Sequence, residues 1–389
     1  MLSLSRQVLL AARDLPSRDD PTREAAAVAI DGLLRSASPR DIAELAAQAR
    51  VSFAQIVFPQ SVGSHRHMDP ALLDAFPAPQ RLAVAALLST HRNGYVREVA
   101  LHVLTDSGQP WVLPFMLLRC DDIVASLRAS ATAAVQRSLH PRYADALASS
   151  LGLLAQLAER QRGGGGSVVP SVRSFLAEPP QRPALLRASH DADPRVRRLA
   201  YALRLAQPVG ESPLEVLSAA LGDPAIGVHT WAARTAISGA TSESDQRALL
   251  PTLSQSHSAW VRSLALRRTS KLDPSDAPLE AGLMDHHAAV RLTARQLLRA
   301  RHPARSFEAT RALALRTLSG ATALTRSHAG VHAPPPSRAS TRAVVGALGA
   351  LSDVGTRHDV ELVHRFATDA RPRVRKEAAR TLALLSGVS

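Results

Sequence analysis

A short signature returns along the chain: an apolar residue, an arginine, and a small residue three positions after that arginine. It occurs as Val196-Arg197 with Ala200, Val261-Arg262 with Ala265, Val290-Arg291 with Ala294, and Val374-Arg375 with Ala378. Val228-His229 with Ala232 keeps the pattern with histidine in place of arginine. The copies at 196, 228, 261 and 290 stand 32, 33 and 29 residues apart. Upstream, Val96-Arg97 leads to Ala100 and Leu127-Arg128 to Ala131; Thr22-Arg23 with Ala26 and Thr341-Arg342 with Val345 are looser copies. Self-similarity at a period of 20–50 residues constrains a fold more than any composition does, because each copy must be one supersecondary unit.

Each unit carries apolar residues at helical spacing, such as Leu199, Leu203 and Ala206, or Ala294, Leu297 and Leu298. One helix pair cannot bury such a face alone; stacked pairs bury a continuous core between them. Pro194, Pro224 and Pro372 stand just before the signature, where the first helical position tolerates a missing N–H. Asp193 and Asp223 precede two of these prolines, as N-caps would. The spacing predicts an all-α, right-handed superhelical solenoid of antiparallel helix pairs. A period near thirty residues built this way resembles the HEAT family and its short bacterial HEAT-like variant, over roughly 180–389 and more loosely over 15–145. The resemblance implies an interaction scaffold or adaptor. The family also includes lyases and DNA-repair glycosylases, so fold alone does not fix function.

Composition agrees with thin helix packing. Hydrophobic residues make up 46% of the 389, but aromatic residues only 3%. No valine- and isoleucine-rich runs alternate with the helical patterns. The single cysteine, Cys120, excludes an intrachain disulfide and a multi-cysteine metal site, and a reducing cytoplasm is the simplest expectation. The first fifteen residues lack a signal-peptide pattern, and no run of 18 apolar residues suggests a membrane span.

The period breaks at 51–80, which holds Phe53, Phe58, Phe76 and His65-Arg66-His67. Gly163 to Gly166 and the prolines at 179, 180 and 183 suggest a connection over 161–183. It would divide an N-terminal degenerate array, 1–160, from a C-terminal array, 184–389; a long loop within one continuous solenoid fits these residues as well. A His- and Pro-rich loop is expected at 326–340.

Net charge is +14 and uneven: residues 1–150 hold 15 arginines against 14 acids, and the window 251–350 holds 14 basic residues against 5 acids. The anchor arginines Arg97, Arg128, Arg197, Arg262, Arg291, Arg342 and Arg375 admit two readings. They form a ladder along a polyanion, or each pairs with an acid in a neighbouring turn, such as Asp193, Asp223 or Asp369. The resemblance favours the second. Arginine serves both, since its planar fork matches carboxylate and phosphate alike. A second basic set is the candidate polyanion surface: Arg291, Arg295 and Arg299, four apart on one helix stripe, with Arg305, and Arg267, Arg268 and Lys271 one repeat earlier.

No catalytic constellation emerges. Cys120 precedes Asp121-Asp122, whose charges would raise its pKa. His65 and His67, His286 and His287, and His328 and His332 lack the spacing of a helical zinc pair, so no metal or cofactor is expected. Trp111, Phe115 and Met116 form an apolar cluster read as core. HEAT-like glycosylases use a Trp, an Asp and an Arg. Trp231 and Trp260 lie here on successive repeats near Asp223 and Arg262, but no motif matches residue by residue and no catalytic role follows. The expectation is a non-enzymatic scaffold with a protein partner; the alternative is phosphate-backbone binding through the basic C-terminal array.

Overall fold

A computed structural model describes residues 2–17, 19–52, 71–159, 165–206, 210–238, 241–327 and 338–387. These are helical and contain no strand. The chain divides into two compact units, 1–216 and 217–389. No described helix is long and apolar enough to cross a membrane.

The first unit contains α1 (Leu4–Ala11), α2 (Asp20–Arg35), α3 (Pro39–Ser52), α4 (Ala71–Asp74), α5 (Ala78–Leu88), α6 (Gly94–Ser107) and α7 (Leu113–Arg119). It continues with α8 (Ala125–Arg137), α9 (Ala144–Ser149), α10 (Leu151–Glu159), α11 (Gly165–Ala177), α12 (Arg182–Ala188) and α13 (Pro194–Ala206). Helix α14 (Pro213–Leu221) spans the boundary. The second unit holds α15 (Ile226–Ala236), α16 (Glu243–Ser254), α17 (Ala259–Leu272), α18 (Ala277–Leu283) and α19 (Ala288–Arg301). It ends with α20 (Glu308–Ser327), α21 (Arg338–Val354), α22 (Val360–His364) and α23 (Pro372–Leu385).

Successive helices pack as pairs: α5 on α6, α7 on α8 and α12 on α13 in the first unit, and α16 on α17, α18 on α19, α20 on α21 and α22 on α23 in the second. Short turns make each pair other than α20 and α21 antiparallel, and within each unit the pairs stack as in an α-solenoid. The small residue of each signature lies at these packing surfaces: Ala100, Ala131, Ala200, Ala232, Ala265, Ala294 and Ala378 are all buried. A methyl group there lets helix axes approach while still removing apolar surface from water.

Several helix starts follow local rules. The Asp19 carboxylate accepts the Thr22 N–H at 3.1 Å at the head of α2, and the Ser242 hydroxyl accepts the Asp245 N–H at 3.1 Å at the head of α16. Pro194 and Pro372 open α13 and α23. Pro224 does not open a helix: α15 starts at Ile226 with Ala225 as N-cap, and Asp223 instead accepts the Ala225 N–H at 2.8 Å within the preceding turn.

Of the expected connection at 161–183, residues 161–164 lie outside the described residues; α11 occupies 165–177, inside the first unit. Residues 328–337 of the His/Pro loop also lie outside, as do His65, His67, His328 and His332. Residues 326–327 and 338–340 belong to α20 and α21.

Candidate functional site

Of the signature arginines, Arg97, Arg262 and Arg291 are buried, Arg128 and Arg197 half-buried, and Arg375 and Arg342 exposed. At six of the anchors the guanidinium turns back toward the loop that joins the two helices of its pair. Its Nη1 donates to the carbonyl six residues upstream: Arg97 to His91 at 2.9 Å, Arg128 to Asp122 at 2.6 Å, Arg197 to Asp191 at 2.8 Å and Arg262 to Ser256 at 2.7 Å. Arg291 does the same to Asp285 at 2.9 Å and Arg375 to Asp369 at 2.8 Å. The residue that offers this carbonyl also turns its side chain onto the N–H two residues on, as Asp122 does to Val124 at 3.0 Å and Asp285 to His287 at 2.8 Å. Side-chain capping and arginine together satisfy the polar groups that a tight interhelical turn leaves open.

Three anchors also reach the next structural layer. Arg97 donates to both carboxylate oxygens of Asp122 at 2.8 and 2.7 Å; Arg262 grips Asp285 in the same forked way at 2.7 Å twice. Arg291 donates to Asp353 at 2.7 Å. His229 replaces the arginine in its repeat, with its ring nitrogens 2.6 Å from the Leu221 carbonyl and 2.7 Å from the Ser256 hydroxyl. The acids that receive these arginines are therefore Asp122, Asp285 and Asp353. Asp193 instead accepts the Arg195 N–H at 2.8 Å, and Asp369 is held by Arg371.

Burial raises the Asp122 carboxyl, but the Arg97 fork, the Val124 N–H and the Arg119 charge outweigh it and hold the group below the usual carboxylate range. Asp285 shows the same balance, with Arg262 and the His287 N–H prevailing over burial. His91, at the equivalent turn, is pushed down to about 4 by burial and by the neighbouring Arg92 and Arg97 charges.

This accounting redraws the expected polyanion stripe. Arg291 is 1% exposed and spent on Asp353 and the Asp285 carbonyl, so it cannot present a charge to phosphate. Arg295 leans on Asp353 at 3.5 Å, Arg305 bridges Asp276 and Glu280, and Arg268 donates to Gln246. Arg267, Lys271 and Arg299 are exposed, Arg299 with its guanidinium 5.1 Å over the Phe307 ring. Arg342, the looser anchor, is exposed on α21 and outside the internal ladder. The i, i+4 stripe on α19 thus runs from interior to surface.

Cys120 is buried, and burial pushes its thiol up to about 12, while Arg119 acts in the opposite direction. Burial, not the adjacent aspartates, is the dominant cause, and at this value the thiol is not a nucleophile at neutral pH. His287 N-caps α19 by accepting the Ala289 N–H at 3.3 Å, and His286 lies against Asp285 and Arg262. Among the described residues no three His, Cys, Asp or Glu side chains are grouped to hold a metal ion.

What the sequence reading missed is a row of exposed apolar side chains near the starts of second helices. Tyr95 on α6, Ile123 and Val124 before α8, Ile226 and Trp260 at the heads of α15 and α17, and Leu292 on α19 all face solvent. The available signal was an apolar residue beside or just before the anchor, where a solvated position would ordinarily be polar.

No family model matches the chain, and no curated protein does. Among solved structures, it is similar to an engineered protein at 16% identity and TM-score 0.24, with 99% of each chain covered. It is also similar to Kap121p at 14% identity and TM-score 0.29, and to a mutant of Kap121p at 12% identity and TM-score 0.31. In both cases 98% of this chain is covered, and it spans 46% of the Kap121p chain. Likeness at this level carries no argument; the fold rests on the helix pairing itself.

Proposed function

We propose that this chain is a non-enzymatic protein-interaction scaffold of HEAT-like repeats. The observation that carries this reading is the row of exposed large apolar residues returning near the heads of second helices in both units: Tyr95, Ile123 and Val124, then Ile226, Trp260 and Leu292. Exposed apolar side chains are ordinary when scattered; within each unit, their return within five residues of the signature position marks a surface built to be covered. Tyr and Trp anchors are the side chains that carry most energy in protein interfaces. The burial of Arg97, Arg262 and Arg291 inside the stack supports the same reading, because those three charges are unavailable to a ligand. A competing reading, nucleic-acid binding by the second unit, draws on α15, α17 and α19, which contain no Asp or Glu.

The test is photo-crosslinking in cells. A benzophenone side chain at position 95, 123 or 260 is expected to give discrete protein adducts, and the same group at the exposed positions Arg173 or Arg316 none. Equal adducts at all five positions, or none at the three row positions, would contradict the scaffold reading.

A further inference from the structure

The second unit narrows the partner's chemistry. Its 23 basic residues face 13 acidic ones, and its three successive second helices α15, α17 and α19 carry no acid at all. On these helices the exposed large apolar and basic residues form two lanes. One lane is apolar: Ile226 at 56% exposure, Trp260 at 42% and Leu292 at 49%. The other is basic and stands seven to eleven residues further along each helix: Arg234 on α15, Arg267 and Lys271 on α17, and Arg299 on α19. Residues seven and eleven apart share a helix face, about 10–16 Å along the axis. The lanes are joined across helices, since the Arg234 guanidinium lies 4.9 Å over the Trp260 ring, and α17 packs directly on α19.

We propose that this face binds an acidic amphipathic segment of a partner protein, its apolar side chains on Ile226, Trp260 and Leu292 and its carboxylates on Arg234, Arg267, Lys271 and Arg299. The proposal rests on the scaffold reading and goes beyond it by fixing the surface and the partner class. Charge complementarity selects an anionic occupant. The apolar lane selects a polypeptide over a nucleic acid: a phosphate backbone gains nothing from Ile226 and Leu292, whereas the apolar stripe of an amphipathic helix buries both. Charges placed beside an apolar lane also fix the direction in which such a segment lies.

The experiment titrates the 389-residue chain into fluorescently labelled probes at low and high salt. The probes are a helical peptide of about 20 residues with leucines along one face and glutamates flanking them, its lysine-for-glutamate counterpart, a glutamate peptide without leucines, and duplex DNA of similar length. The Leu/Glu peptide is expected to bind, to weaken with salt, and to bind more tightly than every other probe. Arg267→Glu combined with Lys271→Glu is expected to weaken it about tenfold or more, and Trp260→Ala about tenfold. Arg173→Glu, in the first unit, leaves it unchanged. Circular dichroism and melting confirm that each variant is folded. The proposal is overturned if the Leu/Glu peptide fails to bind at low salt, if the leucine-free or lysine peptide binds as well, or if Arg173→Glu costs as much. Tighter binding of DNA that is lost in the same variants makes nucleic acid the occupant and overturns it too. Protein adducts at position 260 without peptide binding would remove this partner class and leave the scaffold reading standing.

Discussion

Alanine in place of Asp122 is expected to destabilise the first unit by about 3–5 kcal/mol, the cost of breaking a buried ion pair from one side. Asp122 is 1% exposed and receives the Arg97 fork, the Arg119 guanidinium at 3.0 Å and the Val124 N–H. Arg97 and Arg119 are themselves 5% and 2% exposed, so the substitution leaves two buried cations facing each other across a vacated site. A surface pair offers the contrast. Arg247 and Glu243, both more than half exposed, lie one helical turn apart on α16, and Glu243→Ala should cost well under about 1 kcal/mol. Chemical denaturation of the two variants separates them; equal, small losses would show that the ladder does not carry the stack.

Gly346→Ala is the second large effect. A Cβ at Gly346 would fall well inside van der Waals contact of the Met284 carbonyl oxygen, where α21 crosses the turn after α18. Backbone cannot rotate aside as a side chain would, so α21 must shift. Overpacking of this kind costs about 1–3 kcal/mol or more, against a gain of up to about 1 kcal/mol from replacing a helical glycine. The net expectation is a loss of about 1–2 kcal/mol in the second unit. Gly320→Ala is the control, since nothing lies within 4 Å of its Cβ position and only the propensity gain remains. If both variants melt alike, the close approach of α21 to Met284 is not as described.

The helix pairs were legible because burial of a repeated face enforces periodicity on the sequence. Pro372 to Leu385 reads as a helix and is one, and the buried alanines three residues after the anchors mark the packing surfaces in advance. The partners of the anchors were not legible. Arg97 finds its acid 25 residues downstream and Arg262 23, each in the next layer, whereas Arg291 skips 62 residues to Asp353 at the end of α21. Local spacing cannot encode a partner set by how layers stack. The same limit explains the misread stripe: Arg291, Arg295 and Arg299 share one line on α19, but that line descends into the stack, and only its outer end meets solvent. The apolar lane escaped for the opposite reason, because Ile226, Trp260 and Leu292 look like core residues until the structure leaves them uncovered.

We propose a division of labour: buried signature arginines such as Arg97, Arg262 and Arg291 hold the stack, and exposed arginines such as Arg267 and Arg299 face a partner. One helix contains both kinds, Arg262 buried against Asp285 and Arg267 exposed five residues later. Thermal unfolding of Arg262→Gln beside Arg267→Gln tests the claim most directly. A loss of about 2–4 kcal/mol is expected for Arg262→Gln, which in a unit of this size lowers the midpoint by roughly 5–15 °C, while Arg267→Gln stays within about 0.5 kcal/mol of the parent protein. Equal melting of the two variants, or a larger loss for Arg267→Gln, would contradict it.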